Sequence, residues 1–364
     1  MSVVKPPLTR AERFLELFPE EKPYRLRQLE EAAFRSNASG FKDVTTFPKD
    51  MKEILSEQVP WISIACERLV ESISKDTMKA VLRTEDNLRF ESVLMANKRD
   101  QWTICVSSQI GCAMGCTFCA TGAMGLRRNL NADEIADQYR FWKMKLQEQG
   151  RGSERISNVV FMGMGEPLGN YENVKNAIHR WLTHTDLGPT RITVSTVGVL
   201  MNMERLLTDK DWPPVRIAIS LHSANQKKRE EIVPTTTPDF LKDLIAWSHK
   251  YAAIHGNRRH HITYEYTLLS GVNDTPELAK ELASYVEKTA AAKVNVIPWN
   301  KVAGKTFTTS ARERIDRFKS VLRSRGVDVT ERKTMGNDIA AACGQLITDP
   351  AKPSDGKRIP LESM

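Results

Sequence analysis

The chain has 364 residues, 41% of them apolar and 27% charged, with 53 basic against 45 acidic side chains for a formal net charge of +8. That balance is ordinary for a globular protein holding one large domain and a smaller one, and no apolar run approaches the roughly 20 residues that span a bilayer. The opening stretch "MSVVKPPLTRAERFLELFPEEKPYR" becomes charged too early for a secretory leader, so a cytoplasmic protein without a membrane partner is expected. The positive excess points toward a polyanionic partner.

In chain order, "RAERFLELF" and "YRLRQLEEAAFR" place apolar residues at helical spacing. "FPKDMKEILSEQ" has a proline suited to a first helical turn. "VLRTEDNLRFESVLM" reads as a strand-like hairpin. Residues 1–95 are therefore expected to form a small, mainly helical accessory domain with a connecting segment. From Trp102 the pattern changes: "WTICVSS", "ISNVVFMGMG", "RITVSTVG", "VRIAISLH", "HITYEYTLLSG" and "KVNVIPWN" are short apolar or β-branched runs. Helical patterns separate most of them, including one that Asn131 can cap with Glu134 three residues on, and "DTPELAKELASYVEK", which opens with a cap and a proline. Six strands alternating with helices predict parallel βαβ units, and polar residues at the strand ends favour an α/β fold in the form of a partial (β/α)6 barrel over residues 96–348. The tail, 349–364, is expected to be flexible.

Chemistry in such barrels sits at the C-terminal ends of the strands. Those ends carry the "GMGE" of Gly163 to Glu166, Ser195, Ser220 with His222, and Asn300. Each alone is an ordinary turn residue or cap; together on one face they suggest a ligand pocket.

The loop "GCAMGCTFCATGAMG" holds Cys112, Cys116 and Cys119. In a reducing compartment, clustered cysteines point to metal or catalysis and not to a disulfide framework. Zinc and ferredoxin sites want a fourth protein ligand, and none is placed nearby. Three thiolates on a 4Fe–4S cluster leave one iron open, and a small molecule can take that position.

This spacing resembles the cluster motif of the radical S-adenosylmethionine (SAM) enzymes, in which the open iron is chelated by SAM. "MGMGEP" resembles the SAM-contacting segment of that superfamily, with Gly165 permitting close approach and Glu166 accepting from the SAM ammonium. More finely, "CVSSQIGCAMGCTFCATG", "VVFMGMGEPLGNYENV", "ISLHSANQKKREEIVP", "VNVIPWNKV" and "RKTMGNDIAAACGQL" resemble the RlmN/Cfr family of radical SAM RNA methyltransferases over nearly the whole chain.

The resemblance implies methylation of carbon-2 or carbon-8 of an adenosine in the peptidyl-transferase centre of 23S rRNA, and for the RlmN branch also of the adenosine 3′ of the tRNA anticodon. Carbon-2 is the reading taken, because RlmN is the widespread housekeeping branch; every cysteine is shared with the carbon-8 enzymes. Carbon-2 of adenine is too electron-poor to attack a SAM methyl directly, so a carbon radical is needed. The family uses a relay: Cys343 in "AACGQL" would take a methyl from one SAM, and a second SAM would supply the radical chemistry that joins that carbon to the RNA. Cys105, at the position of the family's resolving thiol, would release the product by forming a disulfide with Cys343. Glu91 in "RFESVLM" would accept the ring proton. Ser195, Ser220, Leu221, His222 and Asn300 match the family's SAM-contacting positions. An electron donor such as flavodoxin or ferredoxin is implied, a monomer is expected, and Cys66 is assigned to packing. The basic runs "GLRRNL", "NQKKREE", "GNRRHH" and "RERIDRFKSVLRSR" are read as an RNA-backbone surface beside the barrel mouth, with the accessory domain as an RNA-docking unit.

Overall fold

The computed structural model describes residues 4–35, 38–97, 101–256, 261–347 and 357–358. Three helices come first: α1 (Arg10–Leu17), α2 (Tyr24–Arg35) and α3 (Lys49–Gln58). A reciprocal capping box between Thr9 and Glu12 starts α1. Phe14, Leu29, Phe41, Phe47, Met51 and Leu55 bury against one another as a core of their own.

Next come β1 (Ile64–Glu71), β2 (Thr77–Thr84) and β3 (Arg89–Ala96), paired antiparallel. The expected hairpin is β2–β3, and it does not stand alone: β3 pairs with β4 (Trp102–Cys105), so all three strands extend the sheet of the large domain. β5 (Gln109–Cys112) and β6 (Gly125–Asn129) form a separate ribbon around the short helix α4 (Ala120–Ala123).

The rest alternates: α5 (Ala132–Glu148), β7 (Ile156–Phe161), α6 (Tyr171–His184), β8 (Ile192–Thr196), α7 (Leu200–Thr208), β9 (Arg216–Ser220), α8 (Gln226–Ile232), α9 (Phe240–His255), β10 (Ile262–Leu268), α10 (Pro276–Val286), β11 (Ala291–Pro298), α11 (Arg312–Ser324) and β12 (Val329–Glu331). The cap expected at Asn131 is present as a capping box with Glu134. Strands β4, β7, β8, β9, β10 and β11 pair parallel in that order, which are the six runs named from the sequence, and β12 adds a seventh. The sheet stays open, with β12 at one edge and the antiparallel strands at the other. Helices cover its outer face around a continuous core that includes Trp142, Trp181, Trp247, Tyr264 and Tyr266. Among the described residues, no helix is long and apolar enough to cross a membrane.

Candidate active site

The C-terminal ends of the parallel strands converge on a cleft open to solvent. Cys112, at the end of β5, and Cys116 and Cys119, in the loop before α4, line it together. That loop is fixed by local chemistry: Thr117 N–H donates to Ile232 O at 2.9 Å, and Trp299 Nε1–H to Phe118 O at 3.0 Å. Burial pushes the Cys112 thiol up to about 12 and the Cys116 thiol higher still, each further raised by its neighbouring thiols. Soft donors gathered in a desolvated cleft, costly to ionise without a cation, fit an iron–sulfur cluster. Among the described residues, no group of three or more His, Cys, Asp or Glu side chains is arranged to ligate a single metal ion.

Opposite the thiols stand Gly165, Glu166, Ser195, Ser220 and His222, as the strand-end reading anticipates. Gly165 adopts φ +100, and a Cβ there would lie 2.5 Å from Gln109 Cβ, so only glycine fits. Glu166 accepts from Leu168 N at 3.0 Å and Val197 N at 2.9 Å, which fixes its carboxylate and leaves further lone pairs for a ligand. Burial raises its pKa against those hydrogen bonds. Ser195 Oγ and Ser220 Oγ lie 3.4 Å apart. His222, at φ +57, accepts Thr267 N–H on Nδ1 at 3.1 Å. Burial, aided by the Arg229 charge, lowers its pKa to about 3, so the ring is neutral and Nε2 carries the proton as a donor.

A second pocket adjoins the first and shares Met162, Ile297, Cys343 and Leu346 with it. Its other walls include Met95, Cys105, Val160, Asn300, Arg332 and Met335. Cys105 ends β4 and is buried; burial and the nearby Cys343 push its thiol up to about 12. Cys343 is exposed at the junction of the two pockets, and the surrounding wall raises its thiol to about 11. Asn300 serves this second pocket and not the cleft: its Nδ2 donates to Cys343 O at 3.1 Å and its Oδ1 accepts from Thr334 at 3.0 Å.

Two anticipated residues lie off both walls. The Leu221 side chain is fully buried, its N–H donating to Glu265 O at 3.0 Å. Glu91 is also fully buried, 3.0 Å from Lys79 Nζ, and accepts Ile347 N–H at 2.9 Å; burial raises its pKa. Cys66 is half-buried against the main core.

Among the described residues, some cations of the basic runs are held inside the fold or in ion pairs. Arg128 is fully buried between Asp86 and Glu134, at 2.6 and 2.8 Å. Arg229 is buried beneath the cleft, its guanidinium donating to Leu221 O at 3.1 Å and Ser220 O at 3.3 Å. On α11, Arg312 pairs with Asp316 and Glu331, and Lys319 with the same two acids. Some of these partners are local, as Asp316 is to Arg312 and Lys319, while Asp86 lies 42 residues from Arg128. Arg258, Arg259 and His260 lie outside the described residues.

Glu265 lines the cleft without having been anticipated, held by Arg332 at 3.2 Å and by Asn295 at 2.9 Å. A charged residue inside the apolar run "HITYEYTLLSG" was its available signal.

An open parallel sheet carrying a three-cysteine loop at its rim defines a radical SAM enzyme, and the sequence model of the Radical SAM superfamily matches residues 106–283. The chain is 40% identical to a probable dual-specificity RNA methyltransferase RlmN of Aquifex aeolicus, over 92% of this chain and 94% of that one. It is 39% identical to a dual-specificity RNA methyltransferase RlmN of Anaeromyxobacter dehalogenans, over 93% and 89%. The crystal structure of a radical SAM methyltransferase from Sphaerobacter thermophilus superposes with a TM-score of 0.83 at 38% identity, covering 93% of this chain and 97% of that one. The chain belongs to the RlmN family of radical SAM RNA methyltransferases. Membership implies SAM and a 4Fe–4S cluster as cofactors.

Proposed function

We propose that the protein methylates carbon-2 of an adenosine in 23S rRNA and of the adenosine 3′ of the tRNA anticodon, using Cys343 as methyl carrier. The observation that carries this reading is the position of Cys343 on the wall common to two pockets, one lined by Cys112, Cys116 and Cys119 and the other by Cys105. A carrier must meet both the source of its one-carbon unit and the acceptor of it. The dual-specificity names of the relatives support the pair of RNA substrates.

Cys112, Cys116 and Cys119 would hold one 4Fe–4S cluster, and the wall of Gly165, Glu166, Ser195, Ser220 and His222 would bind SAM. When bound, the pair supplies a carbon-centred radical able to take hydrogen from a methyl group. Two SAM molecules per turnover follow, one to methylate Cys343 and one as radical source, with an electron donor such as flavodoxin or ferredoxin.

The chain's own side chains divide the remaining work. The Cys343 thiol, raised by the pocket wall around it, must lose its proton before it can accept a methyl group. Methionines, Ile297 and Val160 wall the second pocket, with Asn300, Arg332, Lys333 and Thr334 among its polar groups. An adenine turned out of its stack suits that composition. Cys105, which lines the same pocket as Cys343, would form a disulfide with it, releasing the methylated base as Glu91 takes the ring proton. Glu91 would reach that proton once it has let go of Ile347 N–H.

The test is nucleoside analysis of 23S rRNA and tRNA after incubation with the cluster-loaded protein, SAM and a reductant. 2-Methyladenosine in both RNAs supports the proposal. 8-Methyladenosine would assign the carbon-8 branch, and no methylated adenosine in either RNA would refute the reading.

A further inference from the structure

The segment bearing Cys343 is strapped between the barrel rim and the antiparallel strands outside it. On the rim side, Asn300 holds Cys343 O, and Ala120 N–H donates to Gly344 O at 2.8 Å. On the outer side, Ile73 N–H donates to Asp338 Oδ2 at 2.8 Å. Gly336, at φ +63, packs so tightly that a Cβ would stand 2.6 Å from Thr77 Cγ2.

Two further contacts come from buried charges. Lys79 Nζ donates to Ala340 O at 3.0 Å, and Glu91 accepts Ile347 N–H at 2.9 Å. The two side chains are themselves 3.0 Å apart. This juxtaposition follows from strand register. Thr77, Lys79 and Val81 alternate onto one face of β2, and Glu91, directly opposite Val81, shares that face from β3. The contacts at Ala340 and Ile347 thus bracket Cys343.

We propose that Lys79 is a positioning residue. With Glu91 it forms a clasp on β2–β3 that docks residues 336–347 and sets Cys343 between the two pockets. The inference rests on the reading of Cys343 as methyl carrier and deepens it. Burying an ion pair is costly unless further hydrogen bonds offset its desolvation, and here one segment's backbone supplies one to each partner. Undocking that segment deprives both charges at once, so the clasp favours one seated position. The same release frees the Glu91 carboxylate, which ties proton acceptance to movement of the carrier. Strands β2 and β3, with the turn before β2, therefore act as a dock for the cysteine segment.

The test compares Lys79→Met, Lys79→Arg and Asp338→Ala with the parent, all as cluster-loaded protein, by hydrogen exchange and by the methyl occupancy of Cys343 in mass spectra. Lys79→Met should make the amides of residues 340–347 exchange about tenfold faster, with lower methyl occupancy and an unchanged circular dichroism spectrum. Lys79→Arg should restore both readouts. Asp338→Ala, which leaves the buried pair intact, should speed exchange of the same segment by a smaller factor, and Lys79→Gln takes the place of Lys79→Met should the latter not fold. Exchange unchanged in whichever neutral Lys79 variant folds overturns the clasp. Faster exchange with parental methyl occupancy overturns the positioning role. A parent protein with no methyl on Cys343 would instead remove the carrier reading, and exchange alone would then decide the docking.

Discussion

Asp137 joins the helical unit to the barrel, and its loss has a calculable effect. Its carboxylate is fully buried on α5 and accepts from Arg10 at 2.6 and 3.0 Å, from Arg140 at 2.7 Å, and from Ser63 N–H and Oγ at 2.7 and 2.8 Å. It therefore holds the start of α1 and the approach to β1 against the large domain. Asp137→Asn keeps the volume but removes the negative charge that two buried guanidiniums share. Removing one partner of a buried pair costs about 3–5 kcal/mol, and the retained amide oxygen places this case near about 3, a factor of roughly 150. Urea denaturation gives the global loss, and hydrogen exchange at α1 and Ser63 shows whether the helical unit opens first. Asp211→Asn, at a side chain 74% exposed, is the control and should shift stability by less than about 0.5 kcal/mol. pH supplies an independent arm. Burial alone would raise the Asp137 carboxyl, but Arg10 and Arg140 override it and hold it well below the usual carboxylate range. Its stabilisation is thus complete above the unfolded value of about 4 and is lost as pH falls toward the folded one. Asp137→Asn should flatten that acid limb. A variant within about 0.5 kcal/mol of the parent would refute the reasoning.

Three other outcomes follow from the site. His222 is neutral when folded, at a pKa of about 3 against an ordinary 6.5, so only the unfolded chain gains its proton between those values and stability falls as pH drops through them. His222→Asn should reduce that slope in pH-dependent urea denaturation; an unchanged slope contradicts the assigned neutral state. Cys119→Ala should abolish the iron–sulfur absorbance of reconstituted protein while leaving the circular dichroism spectrum intact, because the main core does not include that loop. Full absorbance in the variant would remove Cys119 from the ligand set. Cys105→Ala should trap a covalent RNA–protein adduct through Cys343, seen as a shifted band on a denaturing gel; normal product release without an adduct would remove Cys105 from its role.

The sequence makes the barrel legible because each strand is a short apolar run between helices with recognisable starts, as at Asn131 with Glu134 and at Pro276. The cysteine loop and the polar strand ends were legible for the same local reason, and Ser195, Ser220 and His222 do face the cleft. Features that depend on distant pairing were not. "IACERLVE" carries charges on both faces, and nothing in it shows that β1 to β3 join the large sheet. Glu265 and Arg332 are 67 residues apart and meet only through the parallel pairing of β10, β11 and β12. Arg128 reads as an open cation because its acids come from a hairpin turn and a helix cap. Asn300 sits at a strand end as expected, yet its amide is spent on the backbone of Cys343, a contact that spacing cannot reveal.

The carrier role of Cys343 is the claim on which the rest depends, and one measurement addresses it directly. The cluster-loaded protein is incubated with SAM bearing a deuterated methyl group, and the peptide containing Cys343 is sequenced by mass spectrometry. The account predicts a trideuteromethyl group on the Cys343 sulfur. An unmodified thiol in a sample that still cleaves SAM to 5′-deoxyadenosine would contradict it.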